Sequence, residues 1–156
     1  METMKIYLAS DHAGFELKEE IKKYLGELGM AVEDMGAFGL DPADDYPDFI
    51  IPVAQKVSQN PDTDRGIVLG GSGQGEAIVA NKIKGIRAAV YYGGSFDIVK
   101  LSRQHNNANI LSLGARFLAP DEAKKAIKLW LETPFEGGRH ERRINKISES
   151  EDKCKK

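Results

Sequence analysis

Cys154 is the only cysteine in the chain's 156 residues. One thiol closes no intrachain disulfide, so nothing here calls for an oxidising compartment. Its place in a lysine-rich C-terminal stretch reads as that of an incidental exposed thiol. Long apolar runs are absent as well; none approaches the roughly 18 residues that a membrane helix needs. No signal-peptide pattern opens the chain, because Lys5 and the Asp11-His12 pair come too early. These absences predict a soluble, cytoplasmic protein with no membrane partner. Charge of one sign is also lacking. The formal net charge is −2, too small a field to gather nucleic acid, so a small anionic ligand needs a local basic cluster. The three histidines, His12, His105 and His140, form no HExxH spacing, and there is no CxxC pair. No metal and no other cofactor are expected.

What remains is an ordinary globular composition, 41% hydrophobic and 29% charged, at a length that suits one domain. Residues 1–148 read as that domain and 149–156 as a charged, disordered tail. Short apolar runs at 4–9, 31–35, 65–70, 86–92 and 109–113 predict five strands. Between the first two, Phe15, Leu17, Ile21, Tyr24, Leu25 and Leu28 recur at helical steps, and Gly29 stops them. Further helices are expected from Tyr46 or Pro47 to Ser58, from Glu76 to Lys82, over 95–105, from Asp121 to Glu132, and over 138–149. Pro47 suits a first turn; Pro52 lies deeper and predicts a kink or a delayed start. Five short strands separated by helices imply parallel pairing through right-handed crossovers. The expected fold is α/β: a doubly wound five-stranded parallel sheet in the order 2-1-3-4-5, with helices on both faces.

Such sheets bind ligands at the carboxyl ends of their strands, where the strand order reverses, here between strands one and three. The loop after strand one is Ser10-Asp11-His12-Ala13-Gly14. The loop after strand three runs from Gly70 to Gly75 and meets Glu76 at the start of a helix. Its four glycines let main-chain N–H groups approach a ligand and face negative charge. The glycine spacing is not that of a dinucleotide loop, and no Lys-Ser or Lys-Thr follows as in a phosphate-binding Walker loop. Glu76 serves either as a partner for the helix dipole or as a general base. Asp11 is either an N-cap or part of a site. His105, followed by Asn106 and Asn107, is either a polar helix end or an imidazole that exchanges protons near neutral pH. Arg139 and Arg143 share one helical face, which either pairs with Glu136 and Glu141 or grips a phosphate with forked hydrogen bonds. Arg116 follows strand five at the same sheet edge as the two loops.

Together these segments resemble the ribose-5-phosphate isomerase B family, whose relatives act on ribose, allose and galactose phosphates. The matching segments are SDHAGFELK (10–18), DYPDF (45–49), GGSGQGEAIVANK (70–82), GIRAA (85–89), SRQHNNANILSLGAR (102–116) and FEGGRHERR (135–143). They follow the family's order across nearly the whole chain. Some members use a cysteine just after strand three as base. Gly70 stands there in this sequence, which instead carries the GGSGxGE segment of a second group, with Glu76 as the matching carboxylate. The resemblance implies a metal-independent aldose–ketose isomerase that interconverts ribose 5-phosphate and ribulose 5-phosphate in the pentose phosphate pathway, through a cis-enediolate. It assigns catalysis to Glu76 as the base, to His105, with Asp11 nearby, in ring opening, and to the Ser72 hydroxyl in holding the oxyanion. It assigns substrate contacts to His12, Tyr46, Gly71, Gly73, Gly75, Asn106, Arg116, Arg139 and Arg143. It also implies a homodimer or dimer of dimers with sites between subunits, each C-terminal helix reaching its partner. Two alternatives stand beside it: an isomerase of a six-carbon sugar phosphate, and a flavodoxin-like sensor of a phosphorylated ligand that performs no turnover.

Overall fold

The structure, a computed structural model, describes residues 3–154. Among these residues, five strands and six α-helices follow in the order β1 (Lys5–Ser10), α1 (Phe15–Glu27), β2 (Ala31–Asp34), α2 (Pro47–Gln59), β3 (Arg65–Gly70), α3 (Gln74–Ala80), β4 (Ala88–Tyr91), α4 (Phe96–Gln104), β5 (Ile110–Gly114), α5 (Pro120–Glu132) and α6 (Arg139–Lys153). All strand pairs are parallel. No helix among the described residues is long and apolar enough to cross a membrane.

The sheet order is β2-β1-β3-β5-β4, so the expected order 2-1-3-4-5 is corrected at one edge. Burial explains the exchange. Every residue of β5 (ILSLG) is buried, whereas Ala88, Ala89 and Val90 of β4 are only partly covered. The strand better able to lose water on both faces takes the inner place. Asn109, at the foot of β5, fixes the pairing. Its side chain accepts the Arg87 N–H at 2.8 Å and donates to the Gly85 carbonyl at 2.9 Å. The reversal between β1 and β3 is unaffected.

Right-handed crossovers then dictate the layers. Passages that move toward the β4 edge put α2 and α3 on one face, and passages that move back put α1 and α4 on the other. The core divides accordingly. Leu17, Ile21 and Leu25 of α1, Val99 of α4, and Ile127 and Trp130 of α5 pack on Ile6, Leu8, Ile67, Leu69, Leu111 and Leu113. Ile50, Val53 and Val57 of α2 and Ala80 of α3 pack on Tyr7, Ala9, Val68 and Ile110. In each helix the buried positions recur at three- and four-residue steps, so one stripe meets the sheet.

Helix α2 runs unbroken from Pro47 through Pro52 to Gln59, and α3 begins two residues before the expected Glu76. Helix α6 continues to Lys153, across most of the stretch expected to be a disordered tail from Glu149 on. Two long-range contacts hold that extension: the Glu151 carboxylate accepts the Gly85 N–H at 3.2 Å, and Asp152 pairs with Lys84. Lys155 and Lys156 lie outside the described residues.

A buried ion pair shapes the exit from β2. Lys18 is fully buried and reaches both oxygens of Asp34, at 2.9 and 2.8 Å. Asp34 also accepts the Gly36 N–H at 2.9 Å. Residues 36 and 37 in turn pair with Ser10, through Ser10 N–H to the Gly36 carbonyl and Ala37 N–H to the Ser10 carbonyl, both 2.8 Å. The long β2–α2 loop therefore leaves the sheet beside the end of β1.

Candidate active site

At the carboxyl edge of the sheet, Asp11 follows β1 and caps a short 3-10 turn over His12–Gly14. Its Oδ1 accepts the N–H groups of Ala13 and Gly14 at 3.0 and 3.4 Å. Asp11 is thus an N-cap and also a buried carboxylate at the sheet edge. The turn is tucked onto β3: a Cβ on Gly14 would lie 2.7 Å from the Leu69 Cβ.

The Gly70–Gly75 turn is walled in on three sides. Gly73 adopts φ +81°, and the Ser112 hydroxyl donates to its carbonyl at 2.6 Å. A Cβ on Gly71 would meet the Arg116 guanidinium at 3.1 Å, and one on Gly75 would meet the Tyr46 ring at 2.7 Å. Arg116 is anchored to the same turn by its own N–H, which donates to the Gly71 carbonyl at 3.1 Å. Absent side chains bring one cation and one aromatic ring against the main chain here.

Glu76 lies in the first turn of α3 and is buried. Its carboxylate folds back over Gly70, where any Cβ would overlap it. Burial pushes the Glu76 carboxyl above the usual glutamate range; its own backbone N–H opposes this and the nearby Asp11 charge adds to it. A desolvated carboxylate beside a turn of main-chain amides can abstract a proton while those amides receive the resulting charge. Gly70→Ala should displace this group. With the fold retained by circular dichroism, we expect kcat to fall about a hundred-fold, as a roughly 1 Å misplacement does.

His12 points to a partner that the sequence analysis did not single out. Asp44 places Oδ1 2.7 Å from His12 Nδ1 and accepts the His12 backbone N–H at 3.1 Å. The hydrogen bond to Asp44 raises the His12 pKa; burial opposes it, the charges of Asp11 and Asp44 reinforce it, and Arg116 lowers it. Asp44 belongs to an acidic loop in which no spacing distinguishes it from Asp41 or Asp45.

The remaining predicted residues lie elsewhere. Helix α4 runs back from the carboxyl edge, so His105, Asn106 and Asn107 sit at the amino ends of the strands. Asn107 adopts φ +47°, held by Arg103, which donates to its side-chain oxygen at 2.9 Å and to the Ala108 carbonyl at 2.7 Å. The His105 ring stacks on His140 with centroids 4.1 Å apart and planes 12° from parallel. That contact brings the start of α6, with Arg139 and the exposed Arg143, to the same end. The five residues of β5 separate the two edges by about 17 Å. The resemblance puts these residues in one site between subunits. Within one chain they form two clusters instead: Asp11, His12, Tyr46, Gly71, Ser72, Gly73, Gly75, Glu76 and Arg116 at one end, and His105, Asn106, Arg139 and Arg143 at the other.

Among the described residues, two groups of side chains approach metal-ligand spacing, His105/Glu136/His140 and Asp11/His12/Asp44. Neither fits a metal centre well. Imidazole lone pairs lie in the ring plane, and two nearly parallel rings do not direct theirs to one point. In the other group, His12 and Asp44 engage each other while Asp11 accepts two amides.

The model of the family described as Ribose/Galactose Isomerase matches residues 6–147. A Bacillus subtilis protein, putative sugar phosphate isomerase YwlF, is 45% identical over 150 residues, covering 96% of this chain and 99% of that one. Probable ribose-5-phosphate isomerase B of Mycoplasma pneumoniae is 44% identical, over 91% of each chain. Among solved structures, ribose-5-phosphate isomerase B from Mycoplasma genitalium with bound ribulose-5-phosphate superposes with a TM-score of 0.94 at 43% identity, covering 99% of this chain and 100% of that one. The Clostridium thermocellum enzyme of the same name gives 0.91 at 45% identity, over 97% and 100%. Matched along nearly its whole length in both sequence and fold, the chain belongs to the ribose/galactose isomerase family.

Proposed function

We propose that this chain interconverts ribose 5-phosphate and ribulose 5-phosphate in the cytoplasm, with Glu76 as the base. The observation that carries the reading is the buried Glu76 carboxylate lying over Gly70 beside the amide turn, in a family whose Mycoplasma genitalium member is solved with ribulose-5-phosphate. In the open-chain aldose, Glu76 takes the proton from C2. The electron pair forms the C1–C2 double bond and the carbonyl oxygen becomes an oxyanion. N–H groups of the Gly71–Gly75 turn and the Ser72 hydroxyl hold that charge, each such donor contributing about 3–4 kcal/mol to the transition state. The O2 proton passes to O1, and Glu76 returns its proton to C1, giving the ketose. Tyr46 lines the sugar pocket.

Ring opening and phosphate binding need the other cluster: His105 as proton donor, Asn106 on a substrate hydroxyl, and Arg139 and Arg143 on the phosphate with Arg116 and His12. A symmetric pair of chains supplies both, each copy lending its amino-end cluster to the other's carboxyl-end crevice. The reading thus includes a homodimer, or a pair of dimers, as the working unit.

The test is ketose formation by purified protein given ribose 5-phosphate, and separately allose 6-phosphate, with a chelator present. Turnover of the five-carbon substrate undiminished by chelation is expected; preferential turnover of the six-carbon sugar, or loss on chelation, would overturn the reading. Arg139→Ala should raise KM about ten-fold with kcat nearly kept, the pattern of a lost phosphate contact. An unchanged KM removes Arg139 from the phosphate site.

A further inference from the structure

The Asp44 carboxylate is nine-tenths buried, and it uses its two oxygens unequally. Oδ1 serves both the main-chain N–H and the Nδ1 of His12. Oδ2 is buried with no hydrogen-bond partner. Burying a carboxylate is costly, and an unpaired buried oxygen in a native protein calls for a reason. Asp44 stands on the β2–α2 loop, whose base is tied to Ser10 through Gly36 and Ala37 and so through Asp34 to Lys18. His12 rests on the turn capped by Asp11, and the Asp44 N–H donates to the Asp41 carbonyl at 3.1 Å.

We propose that Asp44 is a positioning residue: by holding His12 through Nδ1, it leaves Nε2 as an outward hydrogen-bond donor for the phosphate of the sugar phosphate. A ring anchored through Nδ1–H has only Nε2 free. That nitrogen carries a proton, and so donates to an anion, only while the imidazole is cationic. The charged groups around it are Asp11 on its own turn, Asp44 on the β2–α2 loop, Arg116 after β5, and Glu76 of α3 beyond Asp11. Asp44 is the largest influence favouring the cation and Arg116 opposes it. Removing Asp44 frees the ring to turn and lets it lose its proton at lower pH.

This inference deepens the proposed function and rests on it for the identity of the ligand. The decisive variant is Asp44→Asn, which keeps size and an acceptor oxygen but removes the charge. The His12 ring is followed by NMR titration in the free protein, which requires no turnover. Its midpoint should fall in Asp44→Asn. In ribose 5-phosphate turnover, KM should rise roughly ten-fold at neutral pH, the scale of one charge-assisted contact, with kcat little changed. The alkaline rise in KM should also begin at lower pH. In a His12→Gln background, Asp44→Asn should cost little more. An equal cost in both backgrounds would make Asp44 a merely structural residue and overturn the proposal, as would an unmoved His12 midpoint. Failure of the isomerase reading looks different: wild-type protein forms no ketose while the His12 titration still responds to Asp44.

Discussion

Glu76→Gln should lower kcat by about a thousand-fold or more while ribose 5-phosphate still binds, as removal of a general base does. The amide retains the shape of the carboxylate and its place over Gly70, so the turn and its donors remain. Two further readouts follow from the raised carboxyl pKa. In wild-type protein, kcat/KM should fall as pH drops through that raised value, because the proton then occupies the base. Stability runs the other way. A folded-state pKa above the unfolded one means that the native protein holds the proton more tightly. Stability is therefore greatest below the unfolded pKa and declines as pH rises through the folded one. Glu76→Gln removes that loss, so its Tm should exceed the wild-type value at neutral pH and approach it in acid. A variant with near-wild-type turnover would remove Glu76 from the chemistry; one with lowered Tm at neutral pH would contradict the buried charge as its cost.

Two inactive variants should restore each other. Glu76→Gln damages the carboxyl-end cluster and His105→Ala the amino-end cluster. If each working site joins one cluster from each copy, a hybrid dimer carries one site with both lesions and one with neither. Co-expression with two different tags and purification through both isolates that hybrid. It should show about half of wild-type turnover although each parent dimer shows almost none. A hybrid as inactive as its parents would mean that both clusters of a working site come from one chain, against the roughly 17 Å that β5 interposes.

Much of this was legible in the chain. The strands followed from short apolar runs, and the two site loops from their glycines and from the reversal between β1 and β3. The outer strand order was not legible, because it depends on how completely β4 and β5 each lose solvent, a comparison made across the folded sheet. The direction of α4 was implicit in the βαβ pattern: the helix runs back from the carboxyl edge and carries His105 to the amino ends of the strands, away from Glu76. Asp44 was invisible because only a tertiary contact distinguishes it among Asp41, Asp44, Asp45 and Asp48. The end of α6 was misjudged for a related reason: its sequence is polar, and contacts with Gly85 and Lys84 hold it in place.

The overlap at Gly70 also constrains redesign of the site. A side chain at that position and the carboxylate of residue 76 would compete for one volume. Grafting a cysteine into this chain at position 70 should therefore require trimming Glu76 in the same clone.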